Sequence, residues 1–585
     1  MKFISNQEIS KLFKEIAAAY SAKGGDFFKI TAYQKAADNV EHATSQLQDL
    51  WEEGKLDSVP GLGKSIQTYL DELFKTGHVK HFEEIKKGLP GGMFEMLGVG
   101  GIGAKSAYKL GKQLNLKGLK DLEMAAKSKK IRNLEGFGQK SEEEIISALS
   151  EYKKRSDRHL LPFAYATAQK VIDYLRELKE CEKVEPLGSL RRMVATIGDV
   201  DIAVASNEAP KVIAYFKKYP EISRLLGAGP VSSSAILKNG VQVDLKIQPP
   251  EAFGALLQHF TGSKNHNIHL RTLALKHKMS LSEQGIKYKG KQLQFKTEKD
   301  FYEQLGMLYI EPELREDTGE IEAALNSRQG RLNGLPKLVN LDDIKGDLHL
   351  HSNYPIEPSH DLGENSFQEI IDKAKTLNYK YIGFSDHSPG ASTHTKTQIL
   401  DLINKRKAKI EQIKNSNKSI SVLNLLEIDI LSNGELSVPP EGLKLLDGAI
   451  AGIHSSHSQD KYQITKRLLT ACYSPFVKII SHPTGRLLDG RRSYDADWPK
   501  VFEACTKTGT MLEINAWPNR LDLPDTLVRE AKKYKIKFVI NSDAHEISQM
   551  DNMRFGVSVA RRGWADQKDI ANTMSWLEFQ KLFRV

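Results

Sequence analysis

Three hydrophobic patterns divide the chain. In Gly198-Asp199-Val200-Asp201-Ile202-Ala203-Val204 the apolar Val200, Ile202 and Val204 alternate with two carboxylates. A period of two predicts a strand, and residues i and i+2 share a face, so Asp199 and Asp201 project together while the Val/Ile set packs below. Val241-Gln242-Val243-Asp244-Leu245-Lys246 repeats the pattern, with Asp244 opposite Val241, Val243 and Leu245.

Residues 1–155 instead carry a helical period, interrupted at Val59-Pro60-Gly61-Leu62-Gly63-Lys64, Val99-Gly100-Gly101-Ile102-Gly103-Ala104-Lys105 and Leu134-Glu135-Gly136-Phe137-Gly138-Gln139-Lys140. Each has an apolar residue, a Gly-x-Gly turn, a nearby lysine and a helical run. The last third holds seven short apolar runs with polar ends. They are Asp347–His351, Tyr381–His387, Leu425–Asp429, Ile450–His454, Val477–His482, Met511–Asn515 and Phe538–His545, with helical patterns such as Phe367–Leu377 and Asp525–Tyr534 between them. Strand–helix repetition with chemistry at the strand C-termini predicts a parallel seven-stranded β/α barrel.

Length and charge add partners to this outline. A chain of 585 residues has room for about four domains. A net charge of +10, spread along the chain, fits a polyanionic partner and fits a basic soluble protein equally. Cys181, Cys472 and Cys505 show no paired spacing, which argues against a disulfide framework or a cysteine zinc site. The start Met1-Lys2-Phe3-Ile4-Ser5 lacks an apolar leader and no run reaches membrane-spanning length, so a cytoplasmic, nucleoid-associated protein without a membrane partner is expected.

Three clustered carboxylates repel unless cations lie between them. Two Mg²⁺ about 3.5–4 Å apart are the usual arrangement for in-line phosphoryl displacement. A lone Asp-x-Asp is more often a solvated edge, but Gly188-Ser189-Leu190-Arg191-Arg192 lies ten residues upstream. It offers a close backbone approach and cationic donors to a triphosphate. Single histidines are ordinarily just hydrogen-bonded. Here His349 and His351 share one strand face, as do Asp543 and His545, and imidazole plus carboxylate suits Zn, Mn or Fe better than Ca.

These motifs resemble a known family over nearly the whole chain. Gly-Ser-x-Arg-Arg with the paired aspartates is similar to the nucleotidyltransferase palm of the family X DNA polymerases. The resemblance implies Asp199, Asp201 and Asp244 as catalytic Mg²⁺ ligands, with Gly188, Ser189 and Arg192 on the nucleotide. His259-Phe260-Thr261-Gly262-Ser263-Lys264-Asn265-His266-Asn267 resembles the thumb entry, which places Phe260, Gly262, Asn267 and Arg271 in the nucleotide-binding stretch. His259 stands where tyrosine is usual. The three Gly-x-Gly turns resemble helix-hairpin-helix clamps, so Gly61, Gly63, Lys64, Gly101, Gly103 and Lys105 are expected on DNA phosphates. Phe28–Ala37 resembles the family's end-binding domain, which adds Lys29, Tyr33 and Lys35, although Ile30/Tyr33/Ala37 also fits a helix core. Tyr69 falls where relatives with lyase activity carry the Schiff-base lysine. A phenol forms no imine, so lyase activity is not expected.

The C-terminal third resembles the polymerase-and-histidinol-phosphatase (PHP) domain, a trinuclear phosphoesterase. That resemblance implies His349, His351, His387, Glu427, His454, His482, Asp543 and His545 as ligands, with Asp361, in a displaced loop, as the ninth. Arg486 and Arg520 are implied as phosphate-side partners. The implied fold is multidomain, α+β and α/β: a helical domain with the first hairpin (1–88), a second hairpin domain (89–155), palm (156–255), thumb (256–325), linker (326–343) and (β/α)7 PHP barrel (344–585). The linker implies that residues 340–585 can act alone. The implied function is gap-filling DNA synthesis in base-excision repair with 3′–5′ exonuclease, 3′-end processing or abasic-site cleavage. It would use Mg²⁺ in the palm, Mn²⁺ and/or Zn²⁺ or Fe in the barrel, dNTPs, gapped or nicked duplex DNA and a monomeric protein. The alternative is a PHP phosphoesterase whose front half tethers DNA without polymerising.

Overall fold

In the computed structural model, residues 4, 6–41, 47, 51, 54, 56–59, 61–99, 101–156, 158–330 and 334–583 are described. Two compact units comprise residues 1–157 and 158–585.

The first unit is helical with two apolar clusters. In one, Phe13 and Ile16 of the helix Asn6–Ala22 meet Tyr33, Ala37 and Val40 of Phe27–Glu41 and Ile66, Leu70 and Phe74 of Lys64–Thr76. In the other, Met93, Met96, Ile102, Leu110, Leu122, Ile131 and Leu149 pack together around the helix Ala104–Gln113. The second and third Gly-x-Gly turns flank that cluster.

The second unit opens with a five-stranded sheet in the order Lys183–Pro186, Val200–Ala205, Gln242–Gln248, Ser232–Leu237, Ile222–Ala228. Val200, Ile202 and Val204 are fully buried, as the alternation requires. A one-residue slip would expose all three, at about 2 kcal/mol each, and drive Asp201 inward. The helix Leu161–Arg176 covers one face, and Phe253, Leu256 and Leu257 of Phe253–Thr261 cover Ala203 and Ala205 on the other.

The barrel has the seven expected strands: Gly346–Leu350, Tyr381–Phe384, Ser421–Asp429, Gly448–Gly452, Val477–Ile480, Met511–Asn515 and Phe538–Asn541. They pair in parallel, each with the next. The first and last strands are joined by a single bridge, Leu350 to Ala544, and by side chains. Asn541 Oδ1 accepts Leu348 N–H at 3.0 Å, Ser542 Oγ donates to Asp347, and Asn572 Nδ2 donates to the carbonyls of Gly346 (2.8 Å) and Ile540 (2.6 Å). Polar side chains close the seam that a backbone ladder does not.

One apolar cluster runs from the palm sheet into the barrel. Tyr165 meets Phe555 edge-on at 5.8 Å, and Trp564 joins the thumb cluster beside Leu314 and Leu338. In the expected linker Val339 is fully buried and donates to Ala565 O at 3.1 Å. Barrel and palm therefore form one packed body within this unit, a closer association than a linker between them predicts. Among the described residues no helix is long and apolar enough to cross a membrane.

Candidate functional site

The palm strands Val200–Ala205 and Gln242–Gln248 run parallel with Asp201 directly opposite Asp244. Asp199 precedes the strand and is exposed, while Asp201 and Asp244 are half-buried. Asp244 accepts from Gln242 Nε2 at 2.9 Å and from Ser234 Oγ. Burial, and then the charges of Asp199 and Asp244, push Asp201 up to about 7, against the pull of Lys246. The mutual repulsion inferred from sequence is thus written into Asp201. Gly188 takes φ +58°, and a Cβ there would meet Asp201 Oδ2 at 2.7 Å. Only glycine lets this turn lie against the carboxylates.

The arginines of that turn are engaged. Arg191 forks onto Glu298 (2.9 and 2.6 Å) and reaches Thr261 Oγ1 at 2.8 Å. Arg192 donates Nε to Glu316 at 2.9 Å and Nη1 to Thr261 O at 2.7 Å. Arg315, fully buried, pairs with the same Glu298, at 2.5 Å. The Arg charges, overriding burial, hold the Glu298 carboxyl down at about 2. In the thumb entry Asn267 accepts from Gln258 at 3.0 Å and donates to His259 O at 2.8 Å and Gly262 O at 3.2 Å. A Cβ on Gly262 would strike Asn267 Oδ1 at 2.6 Å. Phe260 lies under Lys246 Nζ at 5.4 Å, and Arg271 Nε donates to Asn267 O at 3.1 Å. Ser189 lies half-buried in the turn between Gly188 and Leu190.

At the barrel mouth the eight sequence-derived ligands converge. His349 Nε2 lies 3.1 Å from Glu427 Oε2 and 3.3 Å from Asp543 Oδ1, and His351 Nε2 lies 3.3 Å from the same Asp543 oxygen. The other Glu427 oxygen meets His482 Nε2 at 2.8 Å and His454 Nε2 at 3.3 Å. Glu427 therefore bridges two groups. A third, His351, His387 and His545, has ring nitrogens within 4.8 Å of one another. Asp361 joins it, with Oδ1 3.4 Å from His387 Nε2 and Oδ2 3.5 Å from His545 Nε2. The palm aspartates are not among the described groups that meet that 4.8 Å spacing.

Local backbone aims these side chains. Asp543 takes φ +57° just past the strand Phe538–Asn541, which turns both Asp543 and His545 toward the mouth. A left-handed residue without glycine costs about 1–2 kcal/mol, tolerated where the surroundings enforce it.

Ring nitrogens of His349, His351, His454, His482 and His545 are buried without a hydrogen bond. Burial disfavours charge on His454, yet Glu427 and Asp429 raise it to about 10. His545 is likewise buried but raised to about 9 by Asp361 and Asp543. Burial and Arg520 hold His482 down to about 4. Orphaned imidazole nitrogens among anionic carboxylates fit divalent ions, which would take over the charge that protons otherwise supply.

Three residues escaped the sequence reading. Glu513 Oε1 receives His349 Nδ1 at 2.7 Å, Asp429 Oδ1 lies 2.7 Å from His454 Nδ1, and His360 Nε2 lies 3.2 Å from Asp429. Asp429 shares a strand face with Glu427 at i+2, a signal present in the sequence. Arg486, expected beside phosphate, donates Nε to Arg520 O at 2.8 Å and Nη2 to Leu521 O, so it braces the loop that carries Arg520. Arg520 itself reaches toward Asp543, at 3.8 Å.

In the helical unit, Gly63 and Gly103 precede the helices Lys64–Thr76 and Ala104–Gln113, and no side chain caps either N-terminus. Their φ of −63° and −80° suits any residue, and a Cβ on either meets nothing within 4 Å. Neither conformation nor internal packing asks for glycine here. Gly61 and Gly101 have φ +77° and +83° and need it for the turn. Lys64, Lys105, Lys29 and Lys35 are exposed. Tyr33 is only 6% exposed and stacks on Tyr20 at 5.9 Å, so its ring serves the core. Tyr69 stacks on His81 at 4.8 Å. Pro60 and Gly100 lie outside the described residues.

Known proteins align with this layout. A helix-hairpin-helix domain model matches residues 4–79 and a DNA polymerase beta thumb model matches residues 256–316. The chain is 33% identical over 583 residues to the DNA polymerase/3′-5′ exonuclease PolX of Bacillus subtilis (strain 168), covering 97% of each. It is 25% identical to DNA polymerase lambda of Rattus norvegicus over 350 residues, 53% of this chain and 56% of that one. It is 27% identical to a probable phosphatase of Thermoanaerobacter sp. (strain X514) over 166 residues, 27% of this chain and 65% of that one. The match to that PolX spans the hairpins, palm, thumb and histidine-lined barrel of this chain, and the chain belongs to the PolX family of family X DNA polymerases with a C-terminal PHP barrel.

Proposed function

We propose that this chain fills short gaps in DNA during base-excision repair and trims 3′ ends with its barrel, as a 3′–5′ exonuclease that extends to 3′-phosphate and abasic-site processing. The observation that carries this reading is the coexistence of two separate carboxylate centres in one packed body: Asp201 opposite Asp244, and Glu427 bridging two groups of histidines.

In the palm, Asp199, Asp201 and Asp244 would hold Mg²⁺, and Asp244 would orient the primer 3′-OH. Gly188 lets the turn approach the triphosphate, and Arg192 offers cationic donors to it. Phe260, Gly262, Asn267 and Arg271 shape the pocket on the thumb side. In the barrel, His349, His351, Glu427 and Asp543 form one metal position, Glu427, His454 and His482 a second, and His351, His387, His545 and Asp361 a third. Divalent ions held there, Mn²⁺, Zn²⁺ or Fe, would polarise the scissile phosphate and activate water. Arg520, at the rim, would meet a neighbouring phosphate. Lys64, Lys105, Lys29, Lys35 and the hairpin glycines would grip gapped or nicked duplex by its backbone, indifferent to sequence.

Primer extension on gapped duplex with dNTPs, and nucleotide release from a 3′ end with metal but no dNTP, test the assignment. Asp201→Ala should abolish extension and leave release intact, and His349→Ala should do the reverse. Extension surviving Asp201→Ala, or absent from the unaltered protein, would make the chain a phosphoesterase with a DNA-tethering front half.

A further inference from the structure

One of the contacts between barrel and palm reaches the turn that abuts Asp201. Arg562 ends the helix Met553–Arg562, which packs against the barrel strand Phe538–Asn541. Its Nε and Nη2 are fixed by Asp525 Oδ2 at 2.8 and 2.7 Å. Its Nη1 crosses to the palm and donates twice, to Arg192 O at 2.9 Å and to Glu316 Oε1 at 2.8 Å. That same Glu316 oxygen accepts Arg192 Nε at 2.9 Å. Arg192 sits one helical turn from Gly188, which abuts Asp201. The side chains of Arg192 and Arg562 are 13% and 11% exposed, so this network is shielded from bulk salt.

We propose that Arg562 is a positioning residue for DNA synthesis: from the barrel, it holds Arg192 in place and shares the charge of Glu316, leaving Arg192 electropositive for the incoming triphosphate. The inference rests on reading Arg192 as a triphosphate partner. With Nε and one N–H of Nη1 of Arg192 engaged by Glu316 and Thr261, Nη2 and the second N–H of Nη1 are left for a phosphate oxygen. A second cation on Glu316 weakens the neutralisation of Arg192 that a lone pair would impose. The bond to Arg192 O fixes the backbone that aims the guanidinium. Without Arg562, Glu316 has Arg192 as its cationic partner among these groups, and nucleotide binding suffers before chemistry does.

The experiment is single-nucleotide insertion on gapped DNA by the full chain. Arg562→Ala should raise the KM for dNTP about tenfold, the weight of one charge-assisted hydrogen bond, with a much smaller change in kcat. Its exonuclease rate should be unchanged, which also shows the variant folded. Arg562→Lys should recover part of the loss, and Glu316→Gln combined with Arg562→Ala should relieve part of it, because the competing charge is gone while the bond to Arg192 O stays lost. An unchanged KM in Arg562→Ala, a defect that Glu316→Gln does not relieve, or parallel losses in both activities would overturn the proposal. Arg192→Ala separates the two layers. If it leaves KM unchanged, the triphosphate reading of Arg192 falls; if it raises KM while Arg562→Ala does not, only the role of Arg562 falls.

Discussion

His349 stands between two carboxylates, Nδ1 at 2.7 Å from Glu513 and Nε2 at 3.1 Å from Glu427. Glu513 also accepts His482 N–H at 2.7 Å, Asn541 Nδ2 at 2.8 Å and Asn515 Nδ2 at 3.0 Å. It belongs to none of the described clusters of potential metal ligands, but it holds His349 and His482, which do. Such outer partners of a metal-binding histidine are worth about 10–100-fold in affinity. Glu513→Gln should lower Mn²⁺ affinity of the barrel by that order, measured by calorimetry, and leave primer extension untouched. Equal affinity in the two proteins would reduce Glu513 to a packing group.

The palm should be sensitive to pH near neutrality. Burial and the neighbouring Asp199 and Asp244 raise Asp201 to about 7. An acid raised in this way keeps its proton below about pH 7, and a cation must displace it. Apparent Mg²⁺ affinity for synthesis should therefore fall toward tenfold per unit as pH drops below about 7, and flatten above it. Titration at several pH values reads this directly. An affinity flat from pH 6 to 8 would show that the carboxylate does not carry that proton.

The hairpins make a sharper claim than their sequence pattern alone. Because a Cβ at Gly63 or Gly103 meets nothing inside the protein, Gly63→Val and Gly103→Val should leave thermal stability within about 0.5–1 kcal/mol of the parent. They should still weaken binding to gapped duplex, equally for all sequences, and Lys64→Ala with Lys105→Ala should flatten its salt dependence. Unaltered binding with lowered stability would make these turns packing features.

A linker at 326–343 predicts that residues 340–585 act alone. Excision would uncover Phe555 and Trp564 and strip Arg561 and Arg562 of Glu313 and Glu316. The fragment should keep metal-dependent phosphoesterase activity but lose it on heating about 5 °C earlier than the full chain, a shift expected for a destabilisation of about 2 kcal/mol. Matching heat resistance would mean the palm lends the barrel nothing.

Much of this was legible because period and chemistry coincide. The alternation around Asp201 and Asp244 fixed both strand and face, and each barrel strand announced its polar end. What stayed hidden depends on contacts between distant segments. Nothing near Arg192 or Glu316 points to Arg562, and Tyr33 could be assigned to the core only by the rings of Tyr20 and Phe82 around it. Asp361 sits in a lengthened loop whose reach no periodicity encodes, yet it arrives between His387 and His545.

The seam of the barrel sets an order of events in time. Asp347 and Ser542 lie 195 residues apart, and His349 on that first strand and His351 just past it wait for Asp543 and His545. As the chain is synthesised, the palm sheet and its three carboxylates can be complete while the barrel is still an open ribbon of strands. The degrading activity comes into being only when the last strand docks, and Arg562 arrives some twenty residues behind it. A chain cut short before that point would be born with a palm and no nuclease.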